Sequence, residues 1–598
     1  MSLWKVVLLF LAFMLEILNN EIINFGIRIN GGNTMKFADY EYKRPDLQSM
    51  KDSIRALIEQ FNEAATVEAQ SEIIEKINTY RKDFSTQANL VYIRASIDTT
   101  DEYYQQERDA LDEMEPEMDE VITEYYQALV NSQFRAQLEE KWGSQLFALA
   151  DNQIKGFSPA VIELMQKENK LVSEYNKLVA SAQIEFDGKT LTLAQLAPYG
   201  ESTDRAIRKA ARDTSANFFA QNGEKFDELY DQLVKIRHEI ATTLGYKNYV
   251  ELGYIHMNRV DYNAEMVAKF REQVREFIVP LVTKLYERQA KRIGVEDLKY
   301  YDEGLKFLSG NATPKGDADW IVANGKKMYE ELSPETGEFF NYMLDRELMD
   351  LVAKKGKESG GYCTFIENYN SPFIFSNFNG TSGDIDVLTH EAGHAYQVYA
   401  SRNIGIPEYL WPTFESCEIH SMSMEFFTWP WMELFFKEDT DKYKFAHLSS
   451  GLIFLPYGVA VDEFQHVVYE NPDMTPVQRR QAWKDIEAKY LPHRDYDGHE
   501  YLESGGFWQR QAHIYASPFY YIDYTLAQIC AFQFWKRSRE QFESAWKDYV
   551  YLCSLGGSQS FTNLVKEAGL ISPFEEGCVE SVVGVIEDYL NSIDDTKL

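Results

Sequence analysis

The sequence predicts a mainly α fold, on three observations. Gly and Pro are sparse in the 598 residues, at 33 and 17, which disfavours a turn-rich sandwich or barrel. Apolar residues recur at helical spacing, as in Met50, Ile54, Leu57 and Phe61, with charged residues on the positions between. Strand-like sequence is confined to two short stretches, the first of them alternating apolar and polar. An apolar fraction of 45% and an aromatic fraction of 14% supply a large core and exclude a disordered or fibrous chain.

In chain order, the first 34 residues stand apart. Val6 to Leu15 is an apolar run of ten residues, too short to span a bilayer, and no small-x-small cleavage site follows it. Gly31 and Gly32 precede Met35, and their codons can be purine-rich in the manner of a ribosome-binding sequence. Residues 1–34 are therefore expected to be a translated leader, with the working protein starting at Met35. From Pro45 to about Ala182 amphipathic helices follow one another. Ile184 to Leu193 then alternates around Asp187-Gly188, a hairpin signal. Helical periodicity resumes at Asp204 and runs to the C-terminus. No repeat or low-complexity linker divides the chain, so residues 35–200 (a helical N-terminal lobe) and 201–598 (a catalytic lobe) are expected to share a broad contact. The second strand-like stretch, Pro372 to Phe378, is followed by turn residues and then by the helix that carries the chemistry.

Composition narrows the partners. Against 60 Lys and Arg stand 94 Asp and Glu, a net charge of −34, and such a chain repels nucleic acid. No stable membrane association is expected. The five cysteines, at 363, 417, 530, 553 and 578, include no CxxC pair and read as reduced thiols of a cytoplasmic protein. Cys417 is assigned to packing.

The helix Asp384 to Tyr396 contains His390-Glu391-Ala392-Gly393-His394. Residues four apart share a helix face, so His390 and His394 can hold one Zn²⁺ with Glu391 beside them as general base. Asp384 or Ser382 can cap the helix. Asp386, four residues before His390, is a candidate acceptor for its free ring N–H. A catalytic zinc needs a third protein ligand and an open position for water. The His-rich continuation of the metzincins is excluded, because Gln397 and Ala400 occupy its positions. A downstream helix offers Glu415, Glu418 and Glu425 on one face, at steps of three and seven, while His420 projects away from Glu418.

His-Glu-Ala-Gly-His followed by Glu418 and Glu425 resembles the oligoendopeptidase F branch of the thimet-oligopeptidase-like zinc metallopeptidases. Leu244 to Tyr249, Phe378 to Asp384 and His513 to Tyr524 match the same family. The resemblance spans nearly everything from Met35 onward. It implies two mostly helical lobes flanking a deep substrate channel, with a small hairpin or sheet near the zinc site. It implies zinc ligands His390, His394 and Glu418, one Zn²⁺ per chain, and Glu391 as the catalytic base. It also implies that His513, Tyr521 and Tyr524 face the substrate as hydrogen-bond donors to the oxyanion, with Tyr520 as the alternative to Tyr521. Phe373 to Phe378 is expected to offer a strand edge to the substrate backbone. Glu503 to Phe507 reads as a flexible glycine loop, and His493 and His499 as structural or substrate-contacting residues rather than ligands of a second metal. The activity implied is endopeptidase cleavage of short unstructured peptides. A metallocarboxypeptidase would need a cation for the free carboxylate of its substrate, and the sequence assigns no Arg to it. An inactive peptide-binding protein would be expected to have lost Glu391.

Overall fold

The structure, a computed structural model, describes residues 34–598. The leader reading and the apolar run Val6 to Leu15 fall outside the described residues, Thr34 apart. Among the described residues no helix is long and apolar enough to cross a membrane.

The fold is mainly α, two helical lobes around a deep cleft. The first lobe is built on α1 (Leu47–Glu63), α2 (Val67–Ile97), α3 (Glu102–Val130), α4 (Ser144–Gly156) and α5 (Ile162–Ala180). Asp46, Thr66 and Asp101 cap α1, α2 and α3 by accepting from backbone N–H groups in the first turn, which fixes where each helix begins. The spacing that marks α1 buries Ile54 and Phe61 completely, against Ile74, Ile77, Val121 and Leu129. Each such side chain contributes roughly 1.5–3 kcal/mol by leaving water. The hairpin forms as expected. β1 (Ile184–Phe186) pairs antiparallel with β2 (Lys189–Leu191), and Asp187 and Gly188 both take positive φ in the two-residue turn.

A three-stranded sheet sits beside the site: β3 (Met349–Val352), β4 (Tyr362–Ile366) and β5 (Ser371–Phe378), in the order β3-β5-β4. β5 pairs parallel with β3 and antiparallel with β4, Tyr362 opposite Phe375. Its near-continuous apolar run is that of a strand covered on both faces. Both of its edges are taken, so the expectation that Phe373 to Phe378 presents a free edge is corrected. The outer strand on the cleft side is β4.

Four helices complete the site: α6 (Gly383–Ser401), α7 (Phe414–Phe427), α8 (Thr440–Glu470) and α9 (Tyr521–Glu540). Neither Ser382 nor Asp384 caps α6 with its side chain. The Asp384 carboxylate instead accepts from the backbone N–H groups of Asn379 and Gly380, both at 2.9 Å, tying the preceding turn to the helix. Gly393 sets the approach of α7. A Cβ there would lie 2.7 Å from both His420 O and Ser421 Cα, so only glycine lets the two backbones meet. The main core joins Leu388, Ile419, Leu452 and Ile529 from these helices to Leu90 and Leu171 of the first lobe. The lobes share packed side chains rather than a linker.

Candidate functional site

α6 and α7, pressed together at Gly393, bring His390, His394 and Glu418 to one point. One ligand atom from each lies within 4.8 Å of the others. The two Nε2 atoms face the same carboxylate oxygen, Glu418 Oε2, at 3.1 and 3.4 Å. Burial opposes charge on both His390 and Glu418. Even so, His394 and His390 hold Glu418 well below the usual carboxylate range, and Glu418 and Glu425 hold His390 well above the usual imidazole one. The site demands a cation, supplied by protons or by a metal. Two imidazole nitrogens and one carboxylate oxygen are the donors a catalytic zinc takes, and the three residues fit that ion.

The tautomers follow from a chain of hydrogen bonds behind the ligands. Trp429 Nε1–H, which can only donate, points at His447 Nδ1 from 3.0 Å. His447 therefore donates through Nε2 to Glu425 Oε2 at 2.7 Å. Glu425 Oε1 accepts from His390 Nδ1 at 2.7 Å, which leaves the Nε2 lone pair of His390 for a metal. The acceptor for His390 is thus Glu425, and the expectation of Asp386 is corrected: the Asp386 carboxylate turns to Tyr443 O–H, 2.6 Å away on α8. The role of His447 carried no signal in the sequence, where it is a lone His on a largely apolar helix. Glu418 is held on both sides, by Ser421 O–H at 2.8 Å to Oε2 and by Tyr520 O–H to Oε1.

Glu391 is buried, and its Oε2 has no hydrogen-bond partner among the described residues. Burial pushes its carboxyl upward, with the two histidines pulling the other way. Tyr520, Tyr524 and His513 line the same cleft. His513 Nε2 lies 3.1 Å from Tyr524 Oη, and its Nδ1 lies 2.7 Å from Gln511 Nε2. Tyr457 O–H donates to Gln511 Oε1 at 2.8 Å, which turns the amide N–H toward Nδ1. His513 is then the Nε2–H tautomer, donating to Tyr524 and freeing the phenol O–H to point elsewhere. Burial lowers the His513 pKa to about 4, so the ring is neutral near pH 7.

Tyr521 does not line the cleft, although its ring centroid lies 5.1 Å from that of His513 and 5.4 Å from that of Tyr524. Its ring packs on Phe454 and Tyr457, each with centroids 5.7 Å away, and it borders a separate pocket beside Glu425 and His447. Tyr520, one residue before the first turn of α9, lines the cleft beside Tyr524. Glu415 lies apart from the ligands, beside Thr413, and burial and Asp523 push its carboxyl upward. His420 is fully buried away from the cluster. His493 stacks on Tyr286, centroids 3.9 Å apart, and His499 lies against Tyr300; both are outside the cleft. The glycines of Glu503 to Phe507 are also outside it. A Cβ on Gly505 would lie 2.2 Å from Arg480 O, and one on Gly506 would lie 2.4 Å from the Tyr501 ring, so these glycines serve close packing rather than a substrate-facing loop.

The cleft encloses about 800 Å³. Tyr92, Tyr126 and Leu149 line it from the first lobe, and Gly361 to Thr364 of β4 and the ligand helices line it from the other side. Cys363 and Cys417 also border it, and all five cysteines are unpaired thiols.

A helical two-lobed shell over a His-Glu-x-x-His helix, with a Glu from the next helix, defines a peptidase. The chain belongs to peptidase family M3, in its oligoendopeptidase F branch. The profile described as the peptidase M3 N-terminal domain matches residues 37–157, and that of peptidase family M3 matches residues 199–306 and 335–583. An oligoendopeptidase F homolog of Borreliella burgdorferi is 25% identical over 456 residues, 72% of this chain and 75% of the relative. A solved structure of PZ peptidase A with an inhibitor is 65% identical with TM-score 0.93, covering 94% of this chain and 100% of that one. A Bacillus anthracis structure provisionally named oligoendopeptidase F is 59% identical with TM-score 0.90, covering 95% and 100%.

Proposed function

We propose that the chain is a zinc-dependent endopeptidase that hydrolyses internal bonds of short unstructured peptides in the cytoplasm. The observation that carries this reading is the convergence of His390, His394 and Glu418 beside the buried, unpaired carboxylate of Glu391 in the cleft. His390, His394 and Glu418 would hold a Zn²⁺, which would supply Lewis acidity and lower the pKa of a water to about 7. Glu391 takes the proton of the attacking water and passes it to the leaving amine, a task suited to a carboxylate whose pKa burial has raised. Tyr524 O–H, oriented through His513, Gln511 and Tyr457, donates to the carbonyl oxygen as negative charge grows on it. Glu425 keeps His390 in the tautomer that can bind metal, with His447 and Trp429 behind it. The edge of β4 at Tyr362 to Thr364 gives an extended substrate a backbone to pair with. Unpaired thiols throughout suit a reducing compartment.

Mass-spectrometric mapping of cuts in a mixture of short peptides blocked at both termini tests the activity. Internal cleavage that a chelator abolishes and added Zn²⁺ restores is expected. Release of single C-terminal residues from unblocked peptides only would overturn the endopeptidase reading. The two tyrosines test the oxyanion assignment. Tyr524→Phe is expected to lower kcat by roughly 10²–10³ with KM little changed. Tyr521→Phe, behind the cleft, is expected to change kcat little, and equal losses from both variants would refute the assignment.

A further inference from the structure

Outside the cleft, a cavity of about 250 Å³ gathers four cations, Arg212, Lys306, Arg494 and Arg510, around a single carboxylate, Glu303. The chain as a whole carries a net charge of −34, so a positive concavity runs against its background. Two of the four cations have partners. Arg494 Nε lies 2.8 Å from Glu303 Oε1, and Lys306 donates to the backbone carbonyl of Glu303 at 2.8 Å. Arg212 and Arg510 are paired with no carboxylate among the described residues. Arg510 has only the ring of Phe507, 5.1 Å from its guanidinium.

Arg212 is the more telling of the pair. Its Nε is sealed from solvent and has no acceptor among the described residues. The chain makes room for it all the same. A Cβ at Gly200 would lie 2.4 Å from Arg212 Nε, and one at Gly304 would lie 2.7 Å from its Nη2. Burial and the charge of Arg510 push Arg212 below the usual arginine range, with Glu201 and Glu303 pulling the other way, and a bound anion would add to that pull. The remaining wall is largely aromatic, with Tyr286, Tyr300 and Phe507. Arg212 is half-buried and Arg510 exposed at the rim, and planar guanidiniums match the oxygens of a carboxylate or a phosphate bidentately.

We propose that this cavity is a binding site for a small oxyanion, clamped between Arg212 and Arg510. The volume admits a single carboxylate, phosphate or sulfate group on a small body, and not a drug-sized ligand. Arg510 also borders the catalytic cleft, next in the chain to Gln511, which orients His513. An oxyanion can reach the clamp as a free ion, or as the terminal carboxylate of a peptide lying in the cleft.

Titration of sulfate into the wild-type protein and Arg212→Gln, by calorimetry against sodium chloride of matched ionic strength, reads the site without any turnover. Its outcome is therefore independent of the zinc chemistry. Saturable binding by the wild type is expected, at least tenfold weaker in Arg212→Gln and partly kept in Arg212→Lys. Should Arg212→Gln not fold, Arg510→Gln gives the same reading of sulfate affinity. The source is separated by KM for one peptide and its C-terminal amide. A KM raised severalfold by amidation in the wild type but not in Arg212→Gln, with sulfate competing, supports the peptide carboxylate. Unchanged KM on amidation, with sulfate acting alike on both peptides, supports a free ion. Absence of saturable binding, or equal affinity in wild type and Arg212→Gln, overturns the proposal.

Discussion

Glu391→Gln is expected to bind metal at the wild-type level and to lose kcat by roughly 10²–10⁴, the contribution typical of a general base. At about 1.4 kcal/mol per tenfold, that is roughly 3–5 kcal/mol of transition-state stabilisation. Glu391 is outside the cluster of His390, His394 and Glu418 donor atoms, and its Oε2 meets no donor among the described residues, so an amide of the same shape disturbs neither those three nor their support. What it removes is the capacity to accept and return a proton. His394→Ala and Glu418→Ala act on the other half of the site, and metal content should fall in both, measured after dialysis against a chelator. Glu425→Gln falls between the two. It keeps a side chain of the same size but weakens the bonds from His390 and His447, and a loss of about 10–100-fold in metal affinity is expected. Retention of full metal and activity by Glu418→Ala would remove the third ligand from this scheme. Glu415 could not simply replace it, since it faces Thr413 and Asp523 rather than the histidines. Near-normal turnover by Glu391→Gln would remove the base.

The sequence carried the elements and the ligand face well, and the tertiary partners of that face less well. A spacing of four fixes that His390 and His394 point the same way, whatever the helix meets. It does not fix which neighbour supplies the acceptor behind His390. Asp386 satisfies the spacing, yet α7 brings Glu425 closer from across the interface while α8 draws Asp386 to Tyr443. The tyrosines repeat the lesson. Tyr520 and Tyr521 stand four and three residues before Tyr524, and the 3.6-residue period lies between the two steps. In the structure Tyr520 donates its O–H to Glu418, and that is a tertiary contact which the spacing does not carry. An apolar run such as Phe373 to Phe378 signals a strand buried on both faces, but not whether its edges are taken, and here both are. Glycine is ambiguous in the same way. Gly393 inside the motif and Gly505-Gly506 in the loop both mark a close backbone approach, in each case to another part of the protein rather than to substrate.

A stably folded protein is expected to resist cleavage even at high enzyme concentration, while peptides of about a dozen residues are cut internally. The cleft encloses about 800 Å³, within the range of sites that hold small ligands and too little for a folded domain. Its two sides come from different parts of the chain. Tyr92, Tyr126 and Leu149 face the ligand helices and β4 across it, so substrate must enter between the lobes and not lie on a surface. These sides are held by real packing. Tyr409, which follows α6, buries its ring in the first-lobe core, where its hydroxyl oxygen accepts from Leu146 N–H at 2.9 Å. Opening the cleft wide enough for a globular substrate would have to undo that core, which is a far larger change than the loop and lobe motions that admit a peptide. Unfolding a long protein without shortening it should help little, because the chain on either side of the scissile bond must still leave the cleft. The comparison is made with one folded domain, the same domain denatured, and a peptide copied from its sequence, at equal concentrations of bonds. Fast cutting of the peptide alone is the expected result, and rapid digestion of the native domain into fragments would show that the metal is reached from an open face.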